Sequence, residues 1–187
     1  MKKTIKIVAL TVLIAILSFS TVGCKKIDDV TARDIVNALV EDSYELNKIY
    51  FGKGLQMQES DSENLYIPVA GNSNYTSRRA LEKRTREVFS SDYASDIIDI
   101  AFNGSGGAYG SDAVLARYIE FDDYLHVRRD IDGIEVARYD LTKTEITKVS
   151  NRFIRARLRL LDEGKEKFVE IVLINEENGW RIDSATY

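Results

Sequence analysis

The stretch Phe153-Ile154-Arg155-Ala156-Arg157-Leu158-Arg159-Leu160 decides the fold. Its side chains alternate strictly. Ile154, Ala156, Leu158 and Leu160 share one face, and Arg155, Arg157 and Arg159 share the other. That period marks a strand with one face in a core and one in water, the habit of an antiparallel sheet. Working outward, Asp162-Glu163-Gly164 turns the chain into a strand over Phe168–Ile174. Asn178-Gly179 turns it again into Trp180–Asp183, with Trp180 and Ile182 placed to close the core. Upstream, Asp132-Gly133 reads as a two-residue hairpin turn between Tyr124–Ile131 and Ile134–Tyr139, because such turns favour Asp-Gly.

Before Ala113 the apolar residues recur at helical spacing instead. A first helix opens at Thr31, carries Ile35, Leu39, Leu46, Ile49 and Tyr50, and ends at Gly52 and Gly54. Leu65–Val69 is a short strand, and Pro68 places it at a sheet edge because proline donates nothing to a ladder. Thr76 or Ser77 starts a second helix, with Leu81, Val88 and Phe89 inward. Ser90-Ser91-Asp92 caps a third, whose apolar stripe is Tyr93, Ile97, Ile98 and Ala101. Asn103–Ser111 is glycine-rich and reads as a loop. Helices first and an antiparallel meander after make an α+β fold, with N-terminal helices packed on a curved C-terminal sheet.

The N-terminus reads as an export signal over residues 1–23. Lys2, Lys3 and Lys6 precede an uncharged run from Ile7, and small residues lead to Gly23. The run is short for a membrane span. Thr21-Val22-Gly23-Cys24 resembles a bacterial lipobox, although Thr21 stands where leucine is usual. A lipid on Cys24 would anchor the chain to a membrane without a spanning helix. Residues 24–30 are then a tether of about 20 Å, and 31–187 form a single domain. Removal of the signal takes the formal charge from -4 to -7, since it carries three lysines. The expected location is extracytoplasmic, on the membrane of a bacterial envelope, and the expected state is a monomer.

Composition narrows the chemistry. One cysteine excludes an internal disulfide, and one histidine excludes a multi-histidine metal centre. The acidic balance argues against a nucleic-acid binder. No cofactor is expected. The segment Gly104-Ser105-Gly106-Gly107-Ala108-Tyr109-Gly110 has Tyr109 where a dinucleotide fingerprint needs glycine, and it follows a helix rather than a strand. It reads as a connector, with Gly106, Gly107 and Tyr109 as candidates for contact with a partner. Asp130-Ile131-Asp132-Gly133 has its glycine too early for a calcium loop. The Arg155/Arg157/Arg159 face either pairs with carboxylates of a neighbouring strand, such as Glu166 or Glu170, or meets an acidic partner. His126 reads as a solvated strand residue that Asp122, Asp123 or Asp130 is near enough in sequence to orient. Tyr75 and Tyr109 fall in loops, where amphipathic rings suit protein recognition.

The order of elements, ending in Gly179-Trp180-Arg181-Ile182-Asp183, resembles the cystatin-like α+β cone. Tyr50-Phe51-Gly52-Lys53-Gly54, Leu65–Val69, Tyr75-Thr76-Ser77 with the helix ending in Val88-Phe89, and the closing run through Ser184 resemble the cell-wall DL-endopeptidase inhibitor family, IseA. The resemblance covers Thr31 to Tyr187. It implies a non-catalytic protein that occludes the cleft of a peptidoglycan-cleaving endopeptidase. No inhibitory residue carries over from the family, and the loop expected to insert is Asn103–Ser111 or Gln56–Asn64. The alternative is a small-molecule binder or acid-base enzyme that uses the cone's interior. It calls for a pocket containing His126, Tyr118 or a perturbed aspartate.

Overall fold

A computed structural model describes residues 27–60, 63–104, 115–161 and 167–187. Helix α1 runs Asp29–Tyr50, strand β1 Tyr66–Pro68, helix α2 Arg78–Val88 and helix α3 Ser91–Asn103. Strands β2 Tyr118–Phe121, β3 Tyr124–Arg128, β4 Tyr139–Val149, β5 Phe153–Leu160, β6 Phe168–Glu176 and β7 Gly179–Ile182 follow. The class is α+β, as expected. The strands divide into two antiparallel sheets, ordered β1-β3-β2 and β4-β5-β6-β7, rather than one meander.

Each helix starts where a side chain satisfies its free amide groups. Asp28 caps α1, accepting from Thr31 N at 2.8 Å, so the helix opens before Thr31. That bond holds the Asp28 carboxyl below the usual carboxylate range. Ser77 caps α2 and Ser90 caps α3. Ser90 does more than cap. Its amide donates to Ile182 O at 2.8 Å and its hydroxyl to Asp183 Oδ1 at 2.5 Å. The α2–α3 junction is thereby tied to the end of β7.

The core lies between α1 and the larger sheet. Val36, Val40 and Leu46 of α1 are fully buried with Ile154, Ala156 and Leu158 of β5, Ile171 and Leu173 of β6, and Ile182 of β7. The predicted inward face of β5 is thus inward, apart from half-buried Leu160 at its end. Trp180 packs half-buried against this cluster. The polar side of α1 is used as well. Asn47 Nδ2 donates to Thr186 O and Oγ1 at 3.0 and 2.9 Å, and Thr186 Oγ1 donates to Ser43 Oγ at 3.2 Å. All three residues are buried, so the last residues of the chain are pinned to α1.

One turn differs from expectation. The hairpin joins β2 and β3, with Phe121 opposite Tyr124 and Asp122-Asp123 as its two-residue loop. Both aspartates are left-handed, at φ 49° and 59°, which this turn requires and aspartate tolerates. Asp132-Gly133 is no hairpin, and residues 131–138 carry no strand. Gly133 serves a close approach instead. A Cβ on it would overlap the Gly52 carbonyl group, and Ile134 N donates to Phe51 O at 2.9 Å beside it. Pro68 does sit on an edge strand. The segment Gln56–Gln58 runs along that edge, with Gln58 N donating to Pro68 O at 2.9 Å.

Candidate functional site

The end of α1 turns sharply and is held by β2. Tyr118 is completely buried. Its hydroxyl donates to Ile49 O at 2.7 Å and accepts from Leu55 N at 3.1 Å. Burial pushes its pKa up to about 12. The residue before it reaches the same helix end. Arg117 donates to Gly52 O at 2.8 Å and to Ile49 O at 3.3 Å, placing a cation at the negative end of α1. Burial draws that guanidinium below its ordinary pKa.

Arg117 also faces a cleft of about 500 Å³ between the end of α1, α3 and the segment after β3. One wall is aromatic. Phe51 stacks on Tyr187 with ring centroids 3.7 Å apart, and Tyr50 and Tyr93 continue the wall. Burial, followed by the neighbouring Tyr187, raises Tyr93 well above the ordinary tyrosine range. Ile97, Ile100 and Ala101 of α3 line the cleft as well, with Leu115 and Ile131. Ile100, Leu115 and Tyr187 are 51%, 56% and 43% exposed, so the rim is apolar. Charges converge on it from separate elements: Asp96 from α3, and Arg128, Asp130 and Asp132 from the end of β3 and beyond. Arg128 Nε lies 2.7 Å from Asp130 Oδ1, an ion pair out of line for a hydrogen bond. Its Nη1 donates to Leu115 O at 3.0 Å.

The lining of this cleft includes neither Tyr118 nor His126. Tyr118 is a core residue whose hydroxyl closes backbone hydrogen bonds. His126 is half-buried on β3. Its Nδ1 is 3.0 Å from Tyr124 O, and its ring meets Phe121 and Tyr124 edge-on at 6.2 and 6.4 Å. Among the described residues it makes no ion pair with Asp122, Asp123 or Asp130.

The arginines of β5 lie on the outer face, as expected, and two of them form ion pairs with β4. Arg157 meets Glu145 at 3.4 Å and Arg159 meets Asp140 at 3.9 Å. Arg157 also lies over the Phe168 ring at 4.7 Å and Arg155 over Phe153 at 5.9 Å. Tyr75 is a correction: it is 8% exposed, and its hydroxyl donates to Glu45 Oε2 at 3.1 Å. Burial, then Glu45, pushes its pKa up to about 12. Cys24, Gly106, Gly107, Tyr109 and Glu166 lie outside the described residues, as does most of Asn103–Ser111.

The cleft residues that sequence reasoning missed left one legible signal. Ile100 continues the spacing of Tyr93 and Ile97 on α3, beyond what the core covers. Asp130, Asp132 and Tyr187 carry no local pattern and meet only through the fold. Among the described residues, no group of three or more histidine, cysteine, aspartate or glutamate side chains is placed to hold a metal ion. No helix among them is long and apolar enough to cross a membrane. No known family model matches the sequence, and no curated protein matches it significantly.

Proposed function

We propose that this chain is a bacterial lipoprotein, anchored outside the cytoplasm through Cys24, that binds and occludes a peptidoglycan DL-endopeptidase. Binding is its whole activity, with no chemical step of its own. The observation that carries this is the gathering of exposed Ile100, Leu115 and Tyr187 around one concave place. Grouped apolar side chains in a cleft release water when a partner covers them, whereas scattered ones need no explanation. Tyrosine on such a rim supplies contact area together with a hydroxyl for the wet edge. The target comes from the resemblance to the endopeptidase inhibitors and to the cystatin-like cone. Two residues of the motif Tyr50–Gly54, Tyr50 and Phe51, line the cleft. In this reading Asn103–Ser111, the segment that follows cleft-lining α3, enters the enzyme.

The test is titration of the chain from Lys25 onward into a host cysteine-type DL-endopeptidase acting on purified peptidoglycan. Stoichiometric loss of cleavage is expected. No effect on any endopeptidase of the host would remove the target. Undiminished inhibition after Asn103–Ser111 is replaced by a short linker would remove the loop. A second reading, binding of a small molecule, is favoured by the cleft's volume of about 500 Å³, which is ligand-sized. It places the ligand among helix ends rather than inside the sheet. A metabolite that protects Ile97 and Tyr93 from exchange would favour it.

A further inference from the structure

We propose that the cleft receives a basic side chain, lysine or arginine, presented by the protein partner. This rests on the protein-binding reading above and adds the chemistry of the contact. The walls suit the stem of such a side chain. The stacked Phe51 and Tyr187 rings line the cleft together with Ile97 and Ile100 of α3, and a methylene chain or guanidinium face packs on surfaces of that kind. The charges suit its head. Asp96 and Asp132 reach the cleft from two separate elements, and neither makes an ion pair among the described residues.

Both arginines in the lining already donate to backbone carbonyls. Arg117 donates to the Ile49 and Gly52 carbonyls, and Arg128 to the Leu115 carbonyl beside its ion pair with Asp130. A carboxylate entering the cleft would have to compete for these cations while facing Asp96 and Asp132. An entering cation meets two open carboxylates and aromatic side chains, with the end of α1 already held by Arg117. Complementarity of this sort selects partners by sign and excludes acidic ones.

The experiment uses the full chain in a nonionic detergent, with isoleucine methyl groups labelled for NMR. The probes are the blocked tripeptide Leu-Arg-Leu and the same peptide with neutral citrulline replacing arginine. The arginine peptide is expected to shift the Ile97, Ile100 and Ile131 methyl signals while Ile154 and Ile171 stay still. Citrulline should bind about tenfold more weakly or worse, and the double variant Asp96→Asn, Asp132→Asn should lose a similar factor. Both substitutions are at exposed positions, and an unchanged melting temperature verifies the fold. Equal affinity for the two peptides, unchanged binding to the double variant, or shifts confined to other methyl groups would overturn the proposal. So would shifts that follow protein concentration without peptide, which would assign the cleft to a second copy. The two proposals fail separately. Arginine-peptide binding with no endopeptidase inhibited sinks the endopeptidase reading alone. Inhibition that is equal for wild type and double variant sinks the basic side chain alone.

Discussion

At position 133 a single methyl group tests the packing. A Cβ there would overlap the Gly52 carbonyl group, and neither backbone can yield cheaply because Ile134 N is bonded to Phe51 O. Gly133→Ala is expected to cost about 1–3 kcal/mol, read as a lower urea midpoint at unchanged slope. A glycine acting only as a turn residue would cost little when the left-handed region is not used, so an unchanged midpoint would refute the close approach. Tyr118 offers a second test, through pH. Its folded pKa of about 12 lies above the ordinary 10, so the unfolded chain releases this proton first. The stability it contributes is complete below pH 10 and declines as pH rises toward 12, by about 2–3 kcal/mol in all. Tyr50, Tyr75 and Tyr93 are raised by burial too and act with the same sign. Tyr118→Phe should flatten the fall in stability between pH 10 and 11.5 by one proton's share, measured by urea unfolding at each pH. It should also cost about 1–3 kcal/mol at pH 7, because Ile49 O and Leu55 N lose a buried partner.

Among the elements, β5 was the most legible. Strict alternation over Phe153–Leu160 predicted its bounds, its buried face and its basic face, and all three are found. The ion pairs of that basic face are exposed and of moderate geometry, so they contribute little. Single replacements of Arg155, Arg157 or Arg159 by alanine are expected to move stability by less than about 1 kcal/mol in thermal or urea melts. A larger loss would mean that the stacking of Arg157 on Phe168 carries more than surface contact does. The serine caps were also legible, because a hydroxyl before a periodic apolar run satisfies amide groups that nothing else can reach. The hairpin at Asp132-Gly133 was not. Asp-Gly is a common turn pair, but glycine also stands wherever two backbones touch, and the sequence carries no mark that separates the two uses.

For the whole molecule, the decisive contacts join residues far apart in sequence. Asn47 to Thr186 and Phe51 to Tyr187 fasten the last residues onto the first helix and complete the aromatic wall. Deleting Thr186 and Tyr187 is expected to cost about 2–4 kcal/mol, since Asn47 is left buried without its partners and an aromatic pair is lost. The same deletion should abolish binding in the cleft, which the methyl signals of Ile97 and Ile100 would report. At the other end, Cys24→Ser is expected to move the protein from the membrane fraction to the soluble one, with the lipid's mass absent from the chain. Retention on the membrane would refute the anchor. Composition and periodicity alone determined the α+β class, the serine caps that start α2 and α3, and the orientation of β5. These follow from local rules: alternation and capping. Tertiary structure alone decided that the strands split into two sheets, that Tyr75 and Tyr118 are core residues, and that Asp96, Asp132, Phe51 and Tyr187 share one cleft. Those outcomes depend on which distant surfaces bury each other, and pattern along a chain reports only which face is apolar, not what will cover it.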